Sequence, residues 1–172
     1  MTDSGVEPNA KPPASVLFVC LGNICRSPLA EGIFRRLLNE TGLGKEIHVD
    51  SAGTGAWHVG GAPDTRSIET AARHGLDIAG QRARKVRDAD FENFGLILAM
   101  DRSNRDTLLA RAPASARNRI HLFMEHSLGI SADVPDPYYG AGDGFEAVYR
   151  MLEEGSSALV EKLVAGRRSL SG

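Results

Sequence analysis

Cysteine is scarce in this chain of 172 residues, which carries only Cys20 and Cys25. Two thiols cannot make the disulfide framework of a small secreted domain, and their spacing is not the C-x-x-C of a zinc or thioredoxin-type site. Charge of one sign is lacking too: 20 Lys and Arg against 22 Asp and Glu leave a formal net charge of -2. That balance gives no electrostatic footing on nucleic acid or an anionic membrane surface, so no nucleic-acid partner is expected. No run approaches the roughly 18 apolar residues of a membrane span, and no membrane insertion is expected. There is no G-x-x-x-x-G-K-[ST], and no G-x-G-x-x-G follows a strand, which removes the common nucleotide-binding loops. Internal repeats are absent as well. The first fifteen residues, MTDSGVEPNAKPPAS, have no apolar core of a signal peptide; polar and rich in Pro, they read as a disordered tail. Reduced thiols without a leader suit a cytoplasmic location.

What is present suits one globular domain over residues 16–168, with 42% hydrophobic and 24% charged residues. Val16-Leu17-Phe18-Val19 is an apolar run suited to a strand buried on both faces, and Leu96-Ile97-Leu98-Ala99-Met100 is a second. Ile47 and Val49 alternate with polar residues in a strand closed by Ser51-Ala52-Gly53, and Ile120 to Phe123 is a shorter strand. Ser27-Pro28 marks a helix start, with Ser27 as N-cap, and Leu29, Ile33, Leu37 and Leu38 follow at helical spacing up to Gly42. Further helices are expected over Ser67 to His74, Asp101 to Ala110, and Phe145 to Val164, where Gly155 argues against one unbroken helix. Strands alternating with helices predict an α/β fold, a doubly wound four-stranded parallel sheet with helices on both faces. In such a sheet ligands bind beyond the carboxyl ends of the strands. The basic cluster Arg82, Arg84, Lys85 and Arg87 reads as a solvated surface loop, with a substrate-docking patch as the alternative.

Between the first strand and the first helix lies Cys20-Leu21-Gly22-Asn23-Ile24-Cys25-Arg26-Ser27. A phosphate monoester dianion needs several donors converging on its oxygens, and a helix N-terminus supplies free N–H groups with a favourable dipole. Gly22 and Asn23 tolerate the backbone angles of an anion nest, and Arg26 adds a planar, permanently charged fork. The same field favours a thiolate at Cys20, and Ser27 is placed to donate to that sulfur. One loop thus binds a phosphate and aims a nucleophile at it. A buried, inert cysteine beside a surface arginine is the alternative that the loop alone leaves open.

These residues resemble the low-molecular-weight protein tyrosine phosphatase family, whose signature is C-x5-R-[ST] near the N-terminus. VLFVCLGNICRSPLAEGIFRRL reads almost as a family consensus. DSAGT at Asp50–Thr54, ARHGLDI at Ala72–Ile78, AMDRSN at Ala99–Asn104, DPYYG at Asp136–Gly140 and the following FEAVY agree in order. The resemblance implies that Cys20 is the nucleophile of a phosphocysteine intermediate and that Arg26 and the amides of Leu21 to Ser27 hold the phosphate. Asp136 would be the general acid, then the base that activates water. It also implies that Asn23, Ser51 and His74 brace the loop, and that Trp57 faces Tyr138 and Tyr139 across the substrate cleft. Asp101 is expected as a helix cap or a supporting residue.

The implied partners are phosphotyrosine proteins, with inorganic phosphate and other oxyanions as inhibitors, no cofactor or metal, and a monomer or weak dimer. Thioredoxin-coupled arsenate reductases share the fold but need a later cysteine pair that this chain lacks. Protein-arginine phosphatases carry Thr where this chain has Ile24, and the apolar Ile24 favours an aryl phosphate. Two readings of another class are a phosphotyrosine-binding module and a redox module; a Cys20–Cys25 disulfide would park the oxidised nucleophile and so regulate the enzyme.

Overall fold

The computed structural model describes residues 13–140 and 143–171. Its four strands, β1 (Ser15–Cys20), β2 (His48–Gly53), β3 (Leu96–Ala99) and β4 (Ile120–Leu122), form one parallel sheet in the order β2-β1-β3-β4. Central β1 is apolar on both sides because both sides are covered. Val16 and Phe18 face a core with α1 (Arg26–Glu40), α5 (Phe123–Leu128) and α6 (Gly144–Ser171), joined by Ala71 of α2 (Thr65–Arg73). Leu17 and Val19 face the opposite core, built with Phe91 of α3 (Asp90–Asn93) and Leu108 of α4 (Arg102–Arg111). All four of these strand residues are fully buried, as expected for a parallel strand clad in helices.

The chain crosses from β2 over β1 to β3, so the connections leaving β1 and β3 diverge at their carboxyl ends. This is the crevice where doubly wound folds bind ligands, and it holds the Cys20 loop after β1 and Asp101 after β3.

Several boundaries differ from the sequence-based expectation. Ser15 already belongs to β1, and the carbonyl of Ala14 accepts the His48 N–H at 2.9 Å, so the ordered fold starts before residue 16. The rest of the expected tail, residues 1–12, lies outside the described residues. The helix α1 starts at Arg26 with Cys25 as its cap residue, so Ser27 is not the N-cap; Pro28 still sits in the first turn, where a missing N–H costs no helical bond. Gly155 does not break α6, which runs from Gly144 to Ser171. A Cβ there would lie 2.5 Å from the Phe123 ring, so the glycine serves close packing of α6 on α5. The short helices α3 and α5 had no periodic signal long enough to be read.

Candidate active site

Cys20 ends β1 with 2% of its surface exposed. Beyond it the loop turns its carbonyls outward. Thr54 N–H donates to the Cys20 carbonyl (2.9 Å), Gly55 N–H to Leu21 (2.9 Å), and Asp64 N–H to Ile24 (2.8 Å). Among the described residues, no N–H from Leu21 to Arg26 donates to a protein acceptor. A turn whose carbonyls are held outward and whose amides are left free is an anion nest at a helix N-terminus. Two positions allow this path. Asn23 is the one non-glycine residue with positive φ (56°) among the described residues, in the left-handed region that Asn tolerates. Gly53, at the end of β2, lies so close that a Cβ would come within 2.8 Å of the Leu21 carbonyl and 3.1 Å of Asn23 N.

The hydrogen bonds beneath the loop have a direction that one backbone group fixes. Arg84 N–H can only donate, and it donates to Asn23 Oδ1 at 3.0 Å. Asn23 Nδ2 must then be the donor to Ser27 Oγ (2.7 Å) and Ser51 Oγ (3.0 Å). Each hydroxyl oxygen accepts from Asn23 and still holds its own proton to give. Ser51 donates to Glu31 Oε1 at 2.7 Å. Ser27 has the Cys20 sulfur at 3.0 Å. A thiolate at Cys20 can only accept, and the Ser27 O–H is the group placed to donate to it. This is why Ser27 does not cap α1: its hydroxyl is turned to the sulfur.

In the sequence Glu31 is one more helical glutamate. It is buried and held by Arg35 at 2.7 Å. Burial raises its pKa, and its bonds to Ser51 and Arg35 oppose the shift. His74, expected in this network, is not there. Its Nε2 contacts Glu146 Oε2 at 2.6 Å and its ring stacks on Tyr149 at 3.9 Å, so it ties α2 to α6. Glu31 occupies the role assigned to it. Arg84 is no freely solvated loop residue either: besides its N–H on Asn23, its guanidinium binds Asp90 and Asp50.

Arg26 is 2% exposed. Its Nη1 binds Asp101 Oδ2 at 2.6 Å and the Val134 carbonyl at 2.9 Å, and Nη2 lies 3.7 Å from Asp136 Oδ2. Burial opposes its charge, but Cys20, Asp101 and Asp136 outweigh burial and hold its pKa above the ordinary arginine value. Asp101 does two things at once, capping α4 through Asn104 N–H (2.8 Å) and clamping Arg26. Asp136 is the cap of a 3₁₀ turn, Pro137–Tyr139, whose Tyr138 N–H donates to Oδ1 at 3.0 Å. Its other oxygen, Oδ2, is the one nearest Arg26. Cys25 is buried beside the loop, and both cysteines are free thiols. Burial first, then the negative fields of Asp64, Cys20 and Asp136, pushes the Cys25 thiol up to about 12. While Cys20 is unoxidised, Cys25 is thus a protonated thiol at neutral pH and does not compete with it for phosphate.

Above the sulfur opens a cleft of about 390 Å³. Cys20, Leu21, Gly22, Ile24, Cys25 and Arg26 of the phosphate loop line it together with Trp57 and His58 of the loop after β2 and Asp136, Tyr138 and Tyr139 of the loop before α6. Trp57 is 73% exposed and Tyr139 87%. Large aromatics left in water at a pocket mouth await an apolar or aromatic occupant. His58 had no sequence signal; its ring packs over Gly22, where a Cβ would come within 3.1 Å of it. Among the described residues no cluster of three or more His, Cys, Asp or Glu could hold a metal ion. The arrangement can bind a dianion, offer it a sulfur nucleophile and present a carboxyl group at the opening.

The chain matches the family described as "Low molecular weight phosphotyrosine protein phosphatase" over residues 15–169. A protein of that description from Schizosaccharomyces pombe is 45% identical over 150 residues, covering 86% of this chain and 96% of that one. A protein tyrosine phosphatase from Entamoeba histolytica, with Hepes in the active site, has a similar structure. Its TM-score is 0.84 at 38% identity, over 89% of this chain and 98% of that one. The YwlE arginine phosphatase, in a variant with a phosphorylated active-site serine, reaches a TM-score of 0.82 at 27% identity, covering 90% of this chain and 98% of that one. The likeness spans the whole described fold, from β1 to α6, and includes the segment that builds the anion nest; the chain belongs to the low molecular weight phosphotyrosine protein phosphatase family.

Proposed function

We propose that the chain hydrolyses phosphotyrosine in protein substrates through a phosphocysteine intermediate, with Cys20 as nucleophile and Asp136 as general acid and base. The observation that carries this reading is the directed chain from Arg84 N–H through Asn23 to Ser27 Oγ, 3.0 Å from Cys20 Sγ. A binding module has no use for an activated sulfur. The phosphate oxygens take the free amides of Leu21 to Arg26 and the Arg26 guanidinium. The Cys20 thiolate attacks phosphorus, the P–O bond to the aryl group breaks, and Asp136 gives its proton to the departing phenolate. A water then attacks the phosphocysteine, Asp136 takes the water's proton, and the P–S bond breaks to release inorganic phosphate and the thiolate. Arg26 and the amides hold the equatorial oxygens throughout.

Cleft shape supports tyrosine as the substrate side chain. A phosphate on a floor this buried, between Trp57 and the two tyrosines, is reached by an aromatic stem and not by the short stem of phosphoserine. Ile24, 9% exposed in the cleft, presents carbon where an arginine phosphatase would present a hydroxyl. Inorganic phosphate and other oxyanions compete for the same nest, and no metal is required. Oxidation of Cys20 to a sulfenic acid by peroxide removes the neighbouring sulfur charge that helps hold Cys25 protonated; Cys25 then attacks the Cys20 sulfur as it gives up its proton, water leaves, and the Cys20–Cys25 disulfide that forms is reduced by thiols. Peroxide inactivation should be reversed by dithiothreitol in the wild type and not in Cys25→Ala. Equal recovery in both would refute this protective role. The chain works in the cytoplasm as a monomer or weak dimer, which size-exclusion chromatography across concentration checks.

The test is phosphate release from matched peptides carrying phosphotyrosine, phosphoarginine or phosphoserine, with Cys20→Ser alongside. Turnover of phosphotyrosine alone, abolished in the variant, is the expected result. Preference for phosphoarginine would move the substrate to the other branch of the fold, and turnover surviving in Cys20→Ser would overturn the mechanism.

A further inference from the structure

The acid-bearing segment is held from one point. Arg66, in the first turn of α2, grips Asp64 with Nε and Nη2 (3.0 and 2.9 Å), and Asp64 N–H is anchored on the Ile24 carbonyl of the phosphate loop at 2.8 Å. From that anchorage Arg66 Nη1 reaches across to the Tyr138 carbonyl at 3.2 Å. Its guanidinium lies over the Tyr138 ring at 5.3 Å and over the Phe145 ring at 4.7 Å. Tyr138 belongs to the 3₁₀ turn that Asp136 caps, and Phe145 to the first turn of α6. One planar cation thus holds both ends of the segment from Asp136 to α6 and fixes them to the loop that binds phosphate. Tyr138 is clamped by its ring and carbonyl, and its N–H in turn fixes Asp136 Oδ1 at 3.0 Å. That leaves Oδ2 at the cleft, 3.7 Å from Arg26 Nη2.

We propose that Arg66 is a positioning residue for proton transfer, holding the Asp136 carboxyl over the leaving oxygen through Tyr138. It touches neither phosphate nor leaving group. The proposal rests on the phosphatase reading above, with Asp136 as the acid. A lysine cannot replace Arg66, because only the guanidinium plane makes a two-bond grip on Asp64, a third bond to Tyr138 and two aromatic contacts together.

A positioning role predicts a selective defect. An aryl phosphate with a poor leaving group, phenyl phosphate, needs the acid; an activated one, a difluorinated umbelliferyl phosphate, hardly does. In Arg66→Ala and Arg66→Lys, kcat/KM for phenyl phosphate should fall by about ten-fold or more, while that for the activated substrate falls by less than about two-fold. Iodoacetate alkylation of Cys20 should keep its pH midpoint in both variants, since the nucleophile is untouched. In an Asp136→Asn background, adding Arg66→Ala should change the phenyl phosphate rate no further. Equal losses on both substrates, no loss on either, or additive losses with Asp136→Asn would overturn the proposal. Failure of the wild type to use even the activated substrate would instead sink the phosphatase reading, so the two failures are distinct. Where Arg66→Ala lowers the melting temperature below the assay range, Arg66→Lys carries the comparison.

Discussion

Replacing Ser27 by Ala tests the direction of the network under Cys20. Ser27 is fully buried, 3.0 Å from Cys20 Sγ, and its oxygen accepts from Asn23 Nδ2 at 2.7 Å. If its proton points to sulfur, the substitution removes one hydrogen bond to a charged acceptor, worth roughly 1.5–3 kcal/mol. At about 1.4 kcal/mol per factor of ten, the rate of Cys20 alkylation by iodoacetate at neutral pH should fall by about ten- to hundred-fold. The substitution also strands one Asn23 N–H in the interior, at a cost of roughly 2 kcal/mol, or about 4–8 °C of melting temperature in a domain of this size. The first effect is read from the rate of iodoacetate alkylation against pH, with Cys25→Ser as background. The second comes from calorimetry. An unchanged alkylation rate with a lowered melting temperature would refute the directional argument. It would mean that the thiol donates to Ser27, and that the chain from Arg84 N–H is broken before it reaches the sulfur.

Gly53→Ala places a Cβ 2.8 Å from the Leu21 carbonyl, against backbone that has no rotamer to escape into. Inorganic phosphate inhibition should weaken by about ten-fold or more, consistent with roughly 1–3 kcal/mol of strain, and an unchanged inhibition constant would refute the close-approach argument. Gly155→Ala, which in an ordinary helix interior adds about 1 kcal/mol of stability, should here lower it by about 1–3 kcal/mol. The added carbon meets the Phe123 ring at 2.5 Å and Ser127 Oγ at 2.9 Å, and a raised midpoint in urea unfolding would contradict this. The stacked pair His121 and His126, with rings 4.5 Å apart, makes stability fall with acid. Burial first, then His121 and Lys162, lowers His126 from 6.5 to about 4, and burial lowers His121 too. The unfolded chain therefore binds more protons between those values. Their stabilising contribution is present above pH 6.5 and is lost as pH falls toward 4, so His126→Gln should flatten the melting temperature in that window.

The parts of the site that could be read from sequence are those whose requirements are local. A strand buried on both faces must be apolar throughout, so Val16 to Val19 and Leu96 to Ala99 announced β1 and β3. An anion nest needs unusual backbone and a charged fork within one turn, so Gly22, Asn23 and Arg26 could be recognised within eight residues. Partners brought together over the sheet are different. His74 ends a short helix beside Gly75, and nothing near it names Glu146, 72 positions later. Glu31 and Arg66 look like ordinary helical charges until Ser51 arrives from β2 and Tyr138 from the loop before α6. Ser27 follows the same rule, since a serine at a helix start is a cap unless something stronger claims its hydroxyl, and here the sulfur lies 3.0 Å from it. Asp136 shows both cases in one residue. As an Asp before Pro it is an ordinary turn former, and it does cap a turn, with Oδ1 on Tyr138 N–H. Its chemical use depends on the other oxygen, which only the tertiary fold brings within 3.7 Å of Arg26. A carboxyl that spends one oxygen on its own turn and keeps one for the cleft is held rigidly without losing its basic site. The same division of labour appears at Asp101, with one oxygen on a helix cap and one on Arg26. Local structure thus supplies the rigidity, and long-range packing supplies the target.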